Sequence, residues 1–81
     1  MLADLNAKLL LKGGLNRYTE DKVKEIVVSD QGKTIKDVLE EYKVPLDQVQ
    51  LVVLNGTTTK NLEPHFKDGD EVTVIPIIES G

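Results

Sequence analysis

Only one stretch of this chain repeats its apolar residues at helical spacing, and a single helix among strands leaves few ways to fold. Ile35, Val38, Leu39 and Tyr42 stand at i, i+3, i+4 and i+7, which gathers them on one stripe of a helix. Thr34 precedes the stripe and Asp37 stands three residues on. Their hydroxyl and carboxylate are spaced to cap the first turn, where an acid also suits the helix dipole. Lys36, Asp37, Glu40, Glu41 and Lys43 cover the rest of the surface, and such a charged face reads as solvated. Pro45 is expected to end the helix, because the residue before a proline avoids the helical region.

The remaining apolar runs have strand character. Between Leu5 and Lys12, Leu5, Ala7, Leu9 and Leu11 fall on one face, with Asn6, Lys8, Leu10 and Lys12 on the other. Gly13-Gly14 breaks this run. A polar loop over 15–22 follows, anchored by Leu15 and Tyr18. Val23 to Ser29 reads as a second strand around the β-branched Ile26-Val27-Val28. After the helix, Leu46-Asp47-Gln48 is a connector, and Val49 to Leu54 is almost wholly apolar, as suits a strand paired on both edges. Asn55-Gly56 is a hairpin turn signal, with Thr57-Thr58-Thr59 as a brief returning strand. Leu62 and Phe66 are expected to anchor the next loop in the core. The last strand, Glu71 to Ile75, puts Val72 and Val74 on one face and Glu71, Thr73 and Ile75 on the other. Pro76 is expected to end its regular pairing.

The order is thus two strands, one helix, then two or three strands. A four- or five-stranded mixed sheet covered on one face by the helix satisfies it. This is the α+β pattern of a β-grasp, with the first and last strands parallel at the centre; a simple meander is the competing layout. Residues 1–76 are expected to form the domain and 77–81 a flexible C-terminal tail.

Composition narrows the function. At 81 residues with only three aromatics, Tyr18, Tyr42 and Phe66, one small core is expected and no deep pocket. The formal net charge is −4 with lysines scattered singly, which argues against nucleic acid, since phosphate binding needs a clustered basic face. The absence of cysteine excludes disulfide and thiolate chemistry within the chain. No apolar run reads as a signal peptide or approaches the length needed to span a bilayer. A cytoplasmic domain with no membrane contact is the expectation.

Catalytic groups are sparse. His65 is the only histidine, and no nucleophile is set beside it by a local motif. Asp68-Gly69-Asp70 lacks the further oxygen ligands of a calcium loop and reads as a turn. Gly13-Gly14 lacks the Gly-Lys-Ser/Thr of a phosphate loop and also reads as a turn. The tail differs. Ile77, Ile78, Glu79, Ser80 and Gly81 follow Pro76, and five extended residues reach about 17 Å. A terminal glycine has no Cβ, so its carboxylate passes through a narrow channel. The plainer reading is that the isoleucines extend the last strand and the glycine is incidental.

Several of these residues together resemble a known family. Leu51-Val52-Val53-Leu54-Asn55-Gly56, Leu62, Lys67-Asp68-Gly69-Asp70-Glu71-Val72, Pro76 and a terminal glycine are similar to the ubiquitin-like sulfur carriers. That family includes the molybdopterin synthase small subunit and the thiamine-pathway sulfur carrier. The helix start Thr34-Ile35-Lys36-Asp37-Val38-Leu39 also fits, and the Ile75-Pro76 step leans towards the molybdopterin-type branch. The resemblance implies a β-grasp that is a carrier and not itself an enzyme. Its partners would be a ubiquitin-activating-type adenylating enzyme, which uses ATP, and a cofactor synthase subunit. The carrier itself would bind no cofactor and no metal, and would be a monomer when free. Gly81 would be adenylated and then thiocarboxylated, donating sulfur in molybdopterin or thiamine biosynthesis. Ile77, Ile78 and Ser80 would thread the partner's channel, and Ile75 would join Ile77 and Ile78 in an apolar contact. The chain departs from the family at Ser80-Gly81, where active members end in Gly-Gly. The second reading is therefore a ubiquitin-like interaction module without carrier chemistry.

Overall fold

The computed structural model describes residues 5–77. Five strands, β1 (Ala7–Leu11), β2 (Glu25–Val28), β3 (Val49–Leu54), β4 (Thr57–Thr59) and β5 (Glu71–Pro76), and one helix, α1 (Ile35–Glu41), make up its regular structure, with 3₁₀ turns at Leu15–Tyr18 and Leu46–Gln48. The sheet order is β2-β1-β5-β3-β4. β1 and β5 run parallel at the centre, and the other pairs are antiparallel. This is the β-grasp arrangement; the meander is excluded, because β1 and β5 are joined only through the helix-bearing crossover.

The faces follow the alternation of the sequence. Leu9 lies opposite Val72 and Leu11 opposite Val74 across the parallel pair, while Val52 lies opposite Val74 across β3 and β5. All five are buried, together with Ile26 and Val28 of β2 and Ile35, Val38 and Leu39 of α1. Tyr42, Leu54 and Leu62 pack against this core from its margin, and Phe66 is buried within it.

Both ends of α1 are fixed by hydrogen bonds. Thr34 Oγ1 accepts from the Asp37 amide at 3.0 Å, and Asp37 Oδ2 accepts from the Thr34 amide at 3.0 Å, which completes the expected capping box. The Thr34 amide, and after it the Thr34 hydroxyl, hold the Asp37 carboxyl below its usual range. The C-terminus differs from expectation. Pro45 does not end the helix; Lys43 does, two residues earlier, by taking a left-handed φ of 63°. The Val44 amide then donates to Leu39 at 2.9 Å and the Lys43 amide to Glu40 at 3.0 Å. Those two bonds define a Schellman turn, and the buried Val44 and Leu39 supply its apolar contact. A non-glycine residue at this position gave no sequence signal.

Pro76 also departs from expectation, since β5 runs through it and pairs it with Val49. The register shifts between Val49 and Leu51, and the ladder continues with the Ile77 amide donating to Gln48 at 3.0 Å. The proline nitrogen faces β1 rather than β3, and β1 has already turned away at Gly13. Its missing N–H therefore costs no ladder bond.

Candidate functional site

The face of the sheet opposite the helix is built from the residues that alternate with the core. Leu10 lies opposite Thr73, and Thr73 opposite Val53. One rung further along β5, Ile75 lies opposite Leu51. The Lys12 amide donates to the Val74 carbonyl at 3.1 Å, as the Lys8 amide donates to Asp70 at 3.0 Å. That pattern places Lys12 beside Ile75. Lys60 directly follows β4, and the β3–β4 register continued by one residue brings it level with Leu51. A strip of half-buried apolar side chains, Leu10, Leu51, Val53 and Ile75, thus ends at a rung with a lysine on either side.

β5 runs one residue past this rung to Pro76, and the described residues end at Ile77. Ile77 is 47% exposed, and its amide bond to Gln48 is the last hydrogen bond among the described residues. A Cβ on Gly13 would stand 2.4 Å from Pro76 Cγ, so the β1 turn and the end of β5 pack at a separation only glycine allows. Gly13 also has a φ of 60°, a second reason for glycine there. A shallow cleft beside this contact is lined by Leu15, Arg17, Gln48 and Ile77. The Arg17 guanidinium lies 4.9 Å from the centre of the Tyr18 ring and donates to its hydroxyl at 3.0 Å.

Of the residues singled out from the sequence, Ile75 and Ile77 come together here, one on the open face and one at its margin. Ile78, Ser80 and Gly81 lie outside the described residues. Lys12, Leu51, Val53 and Lys60 have no role in the sequence reading: alternation sets Lys12 on the outer face of β1, but the almost wholly apolar β3 gives no face to Leu51 or Val53, and the pairing across strands is not legible. His65 is exposed and forms an isolated bridge with Thr34. Asp68 and Asp70 hold backbone amides, those of Asn6 and Lys67 respectively, which fits a turn rather than a metal loop. No cluster of metal-ligating residues occurs among the described residues, and none of their helices is long and apolar enough to cross a membrane.

The model of the Mut7-C ubiquitin family matches residues 6–81. No curated protein matches the chain. Among solved structures, the solution structure of Urm1 from Trypanosoma brucei is similar in fold, with a TM-score of 0.67 and 16% identity over 100% of both chains. The first finding shows a ubiquitin-like domain and the second a shared β-grasp fold. With its match running from β1 through the end of the sequence, the chain belongs to the Mut7-C ubiquitin family.

Proposed function

We propose that this protein is a carrier whose C-terminal carboxylate, at Gly81, is the reacting group and whose open sheet face presents that group to its partners. The observation that carries the reading is the placement of β5. The strand lies at the centre of the sheet and delivers the chain to a rung formed by Lys12, Ile75 and Leu51. An apolar strip with flanking ammonium groups, at the root of the segment to be modified, suits a partner surface of complementary shape and acidic rim.

The chemistry follows from the weakness of a carboxylate as an electrophile. The Gly81 carboxylate attacks the α-phosphorus of ATP on an adenylating enzyme and releases pyrophosphate. Sulfide then attacks the acyl carbon and displaces AMP, leaving a thiocarboxylate that donates sulfur to a cofactor precursor of the molybdopterin or thiamine type. Ile75 and Ile77 make the apolar contact, while Ile78 and Ser80 enter the partner's channel. The domain contributes binding and presentation, and no base or nucleophile of its own enters the reaction.

Intact mass measurement tests the proposal. Incubation with ATP, sulfide and a cognate adenylating enzyme is expected to raise the mass by the difference between one sulfur and one oxygen. Deletion of 79–81 should abolish that change. Unchanged mass, with partner binding that survives the deletion, would instead establish an interaction module, which the serine at position 80 favours.

A further inference from the structure

The outer edge of β2 and the trough on its helix side form a second surface, one strand beyond Leu10 of the Ile75 strip. The Leu11 amide donates to the Lys24 carbonyl at 2.8 Å, and Leu9 lies opposite Ile26 and Ala7 opposite Val28. This phase commits Ile26 and Val28 to the ladder with β1. It leaves the N–H and C=O groups of Glu25 and Val27 pointing away from it. β2 is an end strand, so those groups face outward without a partner strand among the described residues, and the Val27 side chain above them is 62% exposed.

Between this edge and α1 runs a trough walled by Ser29, Asp30, Lys33 and Glu41, in which Ile26, Val28 and Val38 are buried and Tyr42 is half-buried. It continues past Tyr42 to Val23 and the exposed Glu20 and Asp21. Its charge is one-sided. Four carboxylates, Glu20, Asp21, Asp30 and Glu41, line it against two ammonium groups, Lys33 and Lys43. Lys33 is already held by Glu41 and, at 3.4 Å, by Asp30. Glu20 and Asp21 make no ion pair among the described residues.

We propose that this edge and trough bind an extended, basic segment of a partner protein, added as a strand outside β2. The outward backbone groups of Glu25 and Val27 require a strand as occupant. Tyr42 and Val23, the half-buried apolar side chains of the trough, suit an apolar residue on the inward face of the segment. The surplus carboxylates require lysine or arginine at the segment's ends and disfavour an acidic one. A second copy of this chain is a poor occupant, because pairing two β2 edges brings the same carboxylates together. The site does not depend on the carrier chemistry, and the two surfaces are open at the same time.

The test is a titration of the isotope-labelled full chain with the peptide Lys-Val-Thr-Val-Thr-Val-Lys and its twin ending in glutamate. Amide shifts are expected at Glu25, Val27 and Tyr42, with slowed hydrogen exchange at Glu25 and Val27. The lysine-ended peptide should bind about tenfold more tightly than its twin, the scale expected for two exposed charge pairs. Replacing both Glu20→Lys and Asp21→Lys should invert that preference, and an unchanged spectrum elsewhere confirms an intact fold. Equal binding of the two peptides would overturn the inference. So would shifts centred on Ile75 instead of β2, no binding at millimolar peptide, or Glu25 and Val27 amides already protected by self-association.

Discussion

Asn55 Nδ2 donates to Asp70 Oδ1 at 2.8 Å, joining the β3–β4 hairpin to the turn that starts β5. The same amide group accepts from the Glu71 amide at 2.9 Å through its Oδ1, while the Asn55 backbone amide donates to the Glu71 carbonyl at 2.9 Å. Asp70 in turn accepts from the Lys67 amide with its other oxygen at 2.8 Å. One hairpin residue therefore sets the register between β3 and β5, and the sheet's open face depends on that register.

Replacing Asn55→Gly keeps the left-handed backbone, which has a φ of 49° at this position, and removes both side-chain bonds. It should cost about 1–2 kcal/mol, the net worth of two such bonds. Asn55→Ala also forces a Cβ residue into that region and should cost about 1 kcal/mol more. Urea denaturation of the two variants separates the contributions; equal losses would mean that the side-chain bonds matter and the backbone conformation does not.

At the opposite end of β5, Gly13→Ala sets a methyl against Pro76 Cγ at a distance that requires the backbone to move. The expected loss is roughly 2–3 kcal/mol from overpacking together with a strained φ. Gly14→Ala is the control. Its φ of 83° is also left-handed, but outside its chain neighbours an added Cβ would meet only Arg17 Nη1 at 3.5 Å, the end of a flexible side chain. Only Gly13→Ala should shift the Ile77 amide resonance.

The capping box of α1 gives a pH signature. The Asp37 carboxyl is held below its ordinary value of 3.8, first by the Thr34 amide and then by the Thr34 hydroxyl. A group depressed in the folded state contributes stability above its unfolded value, and that contribution is lost as pH falls through the folded value. Melting temperature should therefore fall as pH drops below about 4, and Asp37→Asn should flatten that part of the curve. Thr34→Ala should lower stability by about 1 kcal/mol at neutral pH.

The fold was legible because each element had its own signal. The lone helical stripe at Ile35, Val38, Leu39 and Tyr42 needed a sheet beneath it, and the alternation in β1 and β5 named the buried face residue by residue. Where the reading missed, the deciding interaction was non-local or conformationally unusual. Lys43 ends the helix in a conformation its type rarely adopts. Pro76 stays in the sheet because β1 has turned away beside it. Thr19 is buried within a polar loop, its hydroxyl donating to Asn16 at 2.8 Å and accepting from the Val23 amide at 2.8 Å. For the candidate site, Ile75 was visible from alternation alone. Lys12, Leu51 and Lys60 join it only through the register of three separate strand pairs.

The sharpest functional prediction concerns Ser80. If the carrier reading holds, the partner's channel must pass a Cβ and a hydroxyl where Gly-Gly would pass neither. The chain also adopts fewer backbone conformations there than glycine allows. Ser80→Gly relieves both restrictions at a position outside the described residues. It should raise kcat/KM for adenylation of Gly81 by about tenfold, equivalent to about 1.4 kcal/mol of transition-state stabilisation, with no change in melting temperature. Ile77→Ser tests the approach surface separately: it removes an exposed apolar side chain beside Pro76 and should lower kcat/KM through KM, with little effect on stability. Adenylation kinetics of the two variants against the unaltered protein check both points. If neither the unaltered protein nor Ser80→Gly is adenylated by any candidate enzyme, the carrier chemistry is absent and the sheet face serves binding alone.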